Sequence, residues 1–363
     1  MQYLSERCIT KSHDSHTVFE TPGTVSQSTR KPALGRQDVA YSMVQKALEL
    51  NPMSAEMNST MGIYYYDKYQ DWGTAYPYFK RAMEIDPEYA GSYQAVGNYY
   101  QSIGQLDQAV PYFRKMVDLT TGPTKVGPQA QFLTMAYIDI GDFASAAETI
   151  DRMKEYEPDN FSVINSDIQL QLAHGEFSAA RNIVHSLLPT LIDDDATMGL
   201  MAFYEMVFGD LLHAEEIYSR IAASTKPGPY DNNQNLFWGP HLMWGMLGAV
   251  NLAHLHMQNG DNASAQELLQ KAQAYTELRS KALWYGGGIQ YVRAQIAAVE
   301  KDNDVAIDYV RKAVDAGWIK AWFGRIDPIM SDLRKDARYL QILEELEDRL
   351  LEMREHPKTL ASN

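Results

Sequence analysis

Residues 90–119 read AGSYQAVGNYYQSIGQLDQAVPYFRKMVDL. At helical spacing Tyr93, Val96, Gly97 and Tyr100 share one face, and after the break at Gly104 the residues Ala109, Phe113 and Met116 share a second. Two short amphipathic segments joined at a glycine describe an antiparallel helix pair. Gly97 and Ala109 are small where the two backbones must approach, and the aromatic residues around them fill the gap between helices. One such pair cannot bury its own apolar faces, so it has to stack on others.

The others are present in the same register. Upstream, Met61, Gly62, Tyr65, Ala75, Phe79, Ala82 and Pro87 repeat the pattern with one extra residue in the turn, and Ala40, Val44, Ala47 and Pro52 supply only the second helix of an earlier unit. Downstream come Leu133, Tyr137, Gly141, Ala146, Ile150, Met153 and Pro158, then Gly175, Ala180, Val184 and Leu187. Met201, Ala202, Gly209, Ala214, Tyr218 and Ile221 form the next unit. After an interruption at 224–240, Leu252, Ala253, Gly260, Ala265, Leu269 and Ala272 resume, and Ala294, Ala306, Val310 and Ala313 close a degenerate last unit. Helix breakers are expected between the helices.

A period near 34 residues with this residue order resembles the tetratricopeptide repeat, Tyr93 standing for its leading Trp and Met116 for its final Ala. The fold implied is all-α: a right-handed α-solenoid of about seven helix pairs followed by a C-terminal capping helix. The expected division is a mostly disordered segment at 1–34, the solenoid at 35–320, and a capping helix and tail at 321–363.

Composition bounds the function. The net charge of -15 argues against a nucleic-acid surface, which needs clustered Lys and Arg. One cysteine, Cys8, rules out an intramolecular disulfide and a cysteine metal site. No apolar run approaches the roughly 18 residues of a membrane span, and the N-terminus lacks the apolar centre of a signal peptide. A cytoplasmic location is expected, or a periplasmic one if the chain works with a membrane-bound regulator.

The helix from Gln37 to Leu50 is a second helix without its first, and it presents Tyr41, Val44 and Leu48 with no evident cover. Either the N-terminal segment or a partner folds over it. At the other end Tyr339, Leu340, Leu343, Leu346 and Leu350 form an apolar stripe, with Asp336 as a candidate N-cap. The order Gly317-Trp318, then Asp327, Pro328, Leu333, Arg334, Asp336, Arg338 and Tyr339, resembles the end of certain bacterial regulators. In these, tetratricopeptide repeats follow an adenylate cyclase, winged-helix or kinase domain. Tyr69, Asp71, Trp72 and Ala75 match a repeat of the same proteins, and the resemblance spans about 36–350. It implies a regulatory or sensory arm in signalling or transcription. The upstream domain has no counterpart, so the chain is expected to be a separated arm acting in trans or a shortened product.

No motif carries chemistry. His254 and His256 lie two apart, on different helical faces, whereas a helical zinc pair wants i, i+4 spacing. Gly286–Gly288 lacks the Lys-Ser/Thr of a phosphate loop and reads as a flexible start to the last unit. Asp193–Asp195 lacks the alternating ligands of a calcium loop. The chain is read as non-enzymatic, with no catalytic, cofactor-binding or metal-ligating residue.

The resemblance places first-helix residues on a concave groove. Nominated there for partner contact are Tyr66, Asn98, Met135, Ile138, Phe203, Met206, His254 and Met257. Asp139 shares that face, and the lysines and arginines of a peptide-carboxylate clamp are missing from it. Met and Phe at this spacing are more often core than ligand contact. The long interruption weighs the other way. Its Tyr230, Phe237 and Trp238 are candidate anchors that fold across the groove beside Phe203, Met206 and His254. The expected partner is a protein or peptide, an amphipathic or extended segment. Self-association as a homodimer, or small-molecule sensing near Phe203, are the alternatives.

Overall fold

The structure, a computed structural model, describes residues 41–69, 72–120, 123–190, 195–223, 246–279 and 286–360. The N-terminal segment 1–34 and the loop 224–240 with Tyr230, Phe237 and Trp238 lie outside the described residues. Among those described there is no strand. Helix α1 covers 41–50. Pairs follow as α2 (Ala55–Tyr69) with α3 (Trp72–Ile85), α4 (Ala90–Ser102) with α5 (Leu106–Leu119), and α6 (Pro123–Ile140) with α7 (Phe143–Tyr156). Then come α8 (Phe161–His174) with α9 (Phe177–Leu187) and α10 (Asp195–Phe208) with α11 (Leu211–Ala223). The last pairs are α12 (Gly248–Gln258) with α13 (Asn262–Arg279) and α14 (Gly286–Val299) with α15 (Asn303–Asp315). A short α16 (Ala321–Ile326), two 3₁₀ turns and α17 (Ala337–Glu355) end the chain. The architecture is an α-solenoid.

Within pairs the packing is the one the small residues demand. A Cβ on Gly97 would sit 2.5 Å from Phe113 Cε1, and one on Gly62 would sit 2.8 Å from Phe79 Cε1. Ala75, Ala109, Ala146, Ala180, Ala214, Ala265 and Ala306 are fully buried in the facing helices. Gly97→Leu is expected to cost about 1–3 kcal/mol through overpacking. A urea midpoint equal to wild type would show that α4 and α5 do not touch at this point.

Six of the turns inside the pairs share one construction. Gly104, Gly141, Gly175, Gly209 and Gly260 have φ between 75° and 86°, a region glycine enters without a Cβ penalty. Lys301 holds the same place in the last pair at φ 66°. The next residue then donates its N–H back across the turn, Asp142 to Tyr137, Glu176 to Gln171 and Asp302 to Ala297, at 2.8–2.9 Å. These Schellman closures satisfy the last carbonyls of the first helix. Asp142, Asp210, Asp261 and Asp302 each cap the second helix.

Two prolines depart from the expectation that breakers stay between helices. Pro77 lies inside α3 and Pro111 inside α5. A proline has no N–H, so Pro111 leaves the Asp107 carbonyl without its partner from the next turn. That carbonyl instead accepts the Lys358 N–H at 3.3 Å. The defect in α5 is thereby used by the far end of the chain.

First helices of neighbouring pairs pack on each other, α2 on α4, α6 on α8, α10 on α12 and α12 on α14. They form the inner wall. Along α10, α12 and α14 that wall is buried almost all round, which marks helices covered on their open side as well. Over α10 and α14 the cover is the C-terminal segment. The capping helix α17 buries Tyr339, Ile342, Leu343, Leu346 and Leu350. It packs on α15, as an end cap should, and also reaches back to α5 and α6.

Candidate functional site

The segment 317–360 runs along the inner wall, and its contacts define what the groove holds. Gly317 meets the turn after α4: a Cβ there would lie 2.7 Å from the Ile103 carbonyl carbon, and one on Gly104 would lie 3.0 Å from Gly317 Cα. Only two glycines let these backbones touch. Trp318, 2% exposed, stacks on Tyr291 of α14 with centroids 4.1 Å apart. Gly287 is where it rests, since a Cβ on Gly287 would overlap the Trp318 backbone. The glycine run at 286–288 therefore serves close packing within α14, and the expectation of a flexible start is corrected.

Next along the segment, Lys320 Nζ lies 2.7 and 3.0 Å from the two oxygens of Asp139 on α6. Trp322 Nε1 donates to the same carboxylate at 3.0 Å. Phe323 stacks on Phe203 of α10 at 5.1 Å. Asp327, fully buried, accepts from Gln295 at 2.8 Å and from Tyr291 at 3.1 Å, both on α14. Burial raises its carboxyl pKa, and these hydrogen bonds oppose the rise. Arg354 Nη1 donates to the Gly141 carbonyl at 2.7 Å. The segment touches α4, α6, α10 and α14 in turn.

The residues behind the C-terminal resemblance are joints of this arrangement. Asp327 caps the 3₁₀ turn at Pro328 through Ile329 N, and Arg334 donates to the Asp327 carbonyl. Leu333 is fully buried, and Asp336 caps α17 through Arg338 N. Arg338 pairs with Asp304 at the surface, and the Tyr339 hydroxyl donates to the Gly324 carbonyl.

The nominated groove residues divide accordingly. Phe203 (1% exposed) faces the C-terminal segment through Phe323. Ile138 (1%) borders a cleft of about 560 Å³ opposite Trp322 and Leu350. Met206 belongs to a core with Ala214, Ile217, Tyr218, Leu252 and Leu255, so it packs between helices and not into a groove. Met135 is buried, and Met257 is half-buried against the main core. His254 is buried and shares a hydrogen bond with Gln258; burial, with Lys301 nearby, lowers its pKa to about 4. It is a neutral wall residue at pH 7. The nomination of Phe203 and Met206 for partner contact is therefore corrected: the first meets the chain's own Phe323 and the second packs between helices.

The N-terminal half differs. Tyr66 is buried edge-on to Trp72. Asn98 is half-buried, and its Oδ1 accepts no hydrogen bond; Gln101 Oε1 on the same helix is in the same condition. Around them stands a half-buried aromatic field. Trp72 stacks on Tyr99 at 3.6 Å, Tyr41 on Tyr64 at 4.4 Å, and Tyr65 on Tyr78 at 5.6 Å. Away from the wall, at the α10–α11 turn, Glu205, Asp210 and His213 present ligand atoms within 4.8 Å of one another. No spacing along a single helix signals this cluster, because the three residues straddle a turn.

Comparison with known proteins agrees with this architecture. Residues 90–121 and 249–277 match the family model described as tetratricopeptide repeat. Yeast Tom70 superposes with a TM-score of 0.52 over 90% of this chain and 62% of its own, at 15% identity, which shows the fold. A tetratricopeptide repeat protein from Parabacteroides merdae covers 90% of this chain and 95% of its own at a TM-score of 0.43 and 12% identity. Among curated proteins, the BBSome complex member BBS4 of Bos taurus is 24% identical over 152 residues, 40% of this chain and 27% of that protein. No helix among the described residues is long and apolar enough to cross a membrane.

Proposed function

We infer that this chain, built of tetratricopeptide repeats, is a protein-interaction scaffold whose partner engages the first-helix wall of its N-terminal half. The observation that carries this is the contrast along one wall. From the turn after α4 onward the chain covers it with 317–360, while α4 leaves Asn98 half-buried, its Oδ1 without a donor. Unmet acceptors also occur under the cover, at Asn251 and Gln295, so it is the exposure of Asn98 that marks this stretch. A polypeptide main chain supplies N–H donors, and its side chains would meet Trp72, Tyr99 and Tyr100. An extended or amphipathic segment with apolar anchors suits that surface.

The class of partner follows from the likeness of the C-terminal segment to bacterial regulators: a signalling or transcription protein, met in the cytoplasm or, for a membrane-bound regulator, in the periplasm. Self-association has its own support in Met43, Leu50 and Met53, which are more than half exposed on and beside α1. A monomer in sedimentation at high concentration would remove it.

The test is selection of peptides from a displayed random library, followed by fluorescence anisotropy. Asn98→Leu with Gln101→Leu is expected to weaken the selected peptides about tenfold or more, one to two lost hydrogen bonds. Equal affinity for the double variant would sink this location of the site.

A further inference from the structure

We propose that the turn joining α10 to α11 is a site for one Zn²⁺ ion, held by Glu205, Asp210 and His213. A buried carboxylate needs a compensating partner. Glu205 is 0% exposed, and neither of its oxygens accepts a hydrogen bond. What faces them are imidazole nitrogens: His185 Nε2 lies 3.0 Å from Oε1, and His213 Nδ1 lies 3.5 Å from Oε2. Asp210 brings the third ligand atom into the same 4.8 Å group.

One nitrogen and two carboxylates, with water or a second imidazole in the fourth place, is a donor set zinc takes. Two ligand atoms each about 2.1 Å from a tetrahedral centre lie about 3.4 Å apart, close to the Glu205–His213 separation. The backbone fixes this spacing in advance. Asp210 N donates to the Glu205 carbonyl at 2.9 Å in the Schellman closure, and Asp210 Oδ1 caps α11 through His213 N at 3.4 Å. His185 on α9 stands 3.0 Å from the other carboxylate oxygen, close enough to turn into an outer partner of a bound ion. Both imidazoles are about two-fifths exposed (44% and 41%), which leaves an entry path. An ion here ties α9, α10 and α11 together across a pair boundary.

The experiment is calorimetric titration of ZnCl₂ into the chelator-treated full chain, with thermal melts alongside. One equivalent is expected to bind and to raise the melting temperature. Glu205→Gln and His213→Asn are each expected to weaken binding on the order of 100-fold, and His185→Gln about tenfold. Asp210→Asn keeps the helix cap and is expected to weaken binding as well. His254→Gln, and the paired His13→Gln and His16→Gln, are expected to leave affinity unchanged. No saturable binding up to about 100 μM, the weak end of the affinity scale, would overturn the site. So would affinity that survives Glu205→Gln and His213→Asn, or that disappears with His13 and His16. A Glu205→Gln protein that is folded but whose parent melts alike with and without zinc marks the cluster as ion pairs only and overturns it too.

Discussion

Lys320→Ala is expected to destabilise the protein by roughly 3–5 kcal/mol, the range for removing one partner of a buried ion pair. The Lys320 and Asp139 side chains are 6% and 1% exposed. Without the ammonium, the Asp139 carboxyl is left without its cation in a place water does not reach, with Trp322 Nε1 still donating to it. The pair joins residues 181 apart, α6 to the segment leading into α16. Its loss should therefore appear first as undocking of 317–360 from the wall. Hydrogen exchange in 337–355 is expected to accelerate before exchange in α8 or α9. Lys320→Met combined with Asp139→Asn is expected to recover most of the loss, because no uncompensated charge remains. Exchange in 337–355 that stays at the wild-type rate would show that this pair does not hold the segment.

Trp318→Ala is expected to cost about 3–5 kcal/mol, as large-to-small changes at fully buried aromatic sites do. The indole is enclosed on several sides: Tyr291 stacks on one face, Gly287 lies under the backbone, and a Cβ on Gly324 would come within 3.1 Å of its ring. Those neighbours are glycines and a ring already in contact with Phe323, so the site has little means of collapsing into the space left. The check is the free energy from urea unfolding. A change below about 1 kcal/mol would mean that the wall closes over the cavity and that Trp318 is not the anchor of the segment.

The helix pairs were legible because each is written locally. Small residues at Gly97 and Ala109, and a glycine at five of the turns, lie within a few residues of the contacts they permit. The route of the C-terminal segment was not legible, since Asp139 and Lys320, or Phe203 and Phe323, are linked by no local pattern. A sign of it was nonetheless on the page. Asp139 stood on an otherwise apolar face, and a lone carboxylate there asks for a cation; the cation is Lys320 of the same chain. The spacing of Phe203 and Met206 nominates both for partner contact. In fact Phe203 fits the chain's own Phe323, and Met206 serves the core. At Asn98 the amide is legible in the sequence, while its unmet acceptor is visible only in three dimensions.

The touch between Gly104 and Gly317 changes what kind of array this is. A stack of repeats that meets only its nearest neighbours melts by fraying from either end, one brick at a time. Here the last brick is mortared to the second, so removing the C-terminal end opens a hoop instead of shortening a column. Its thermodynamics belong with those of a closed domain, one cooperative transition in place of a staircase.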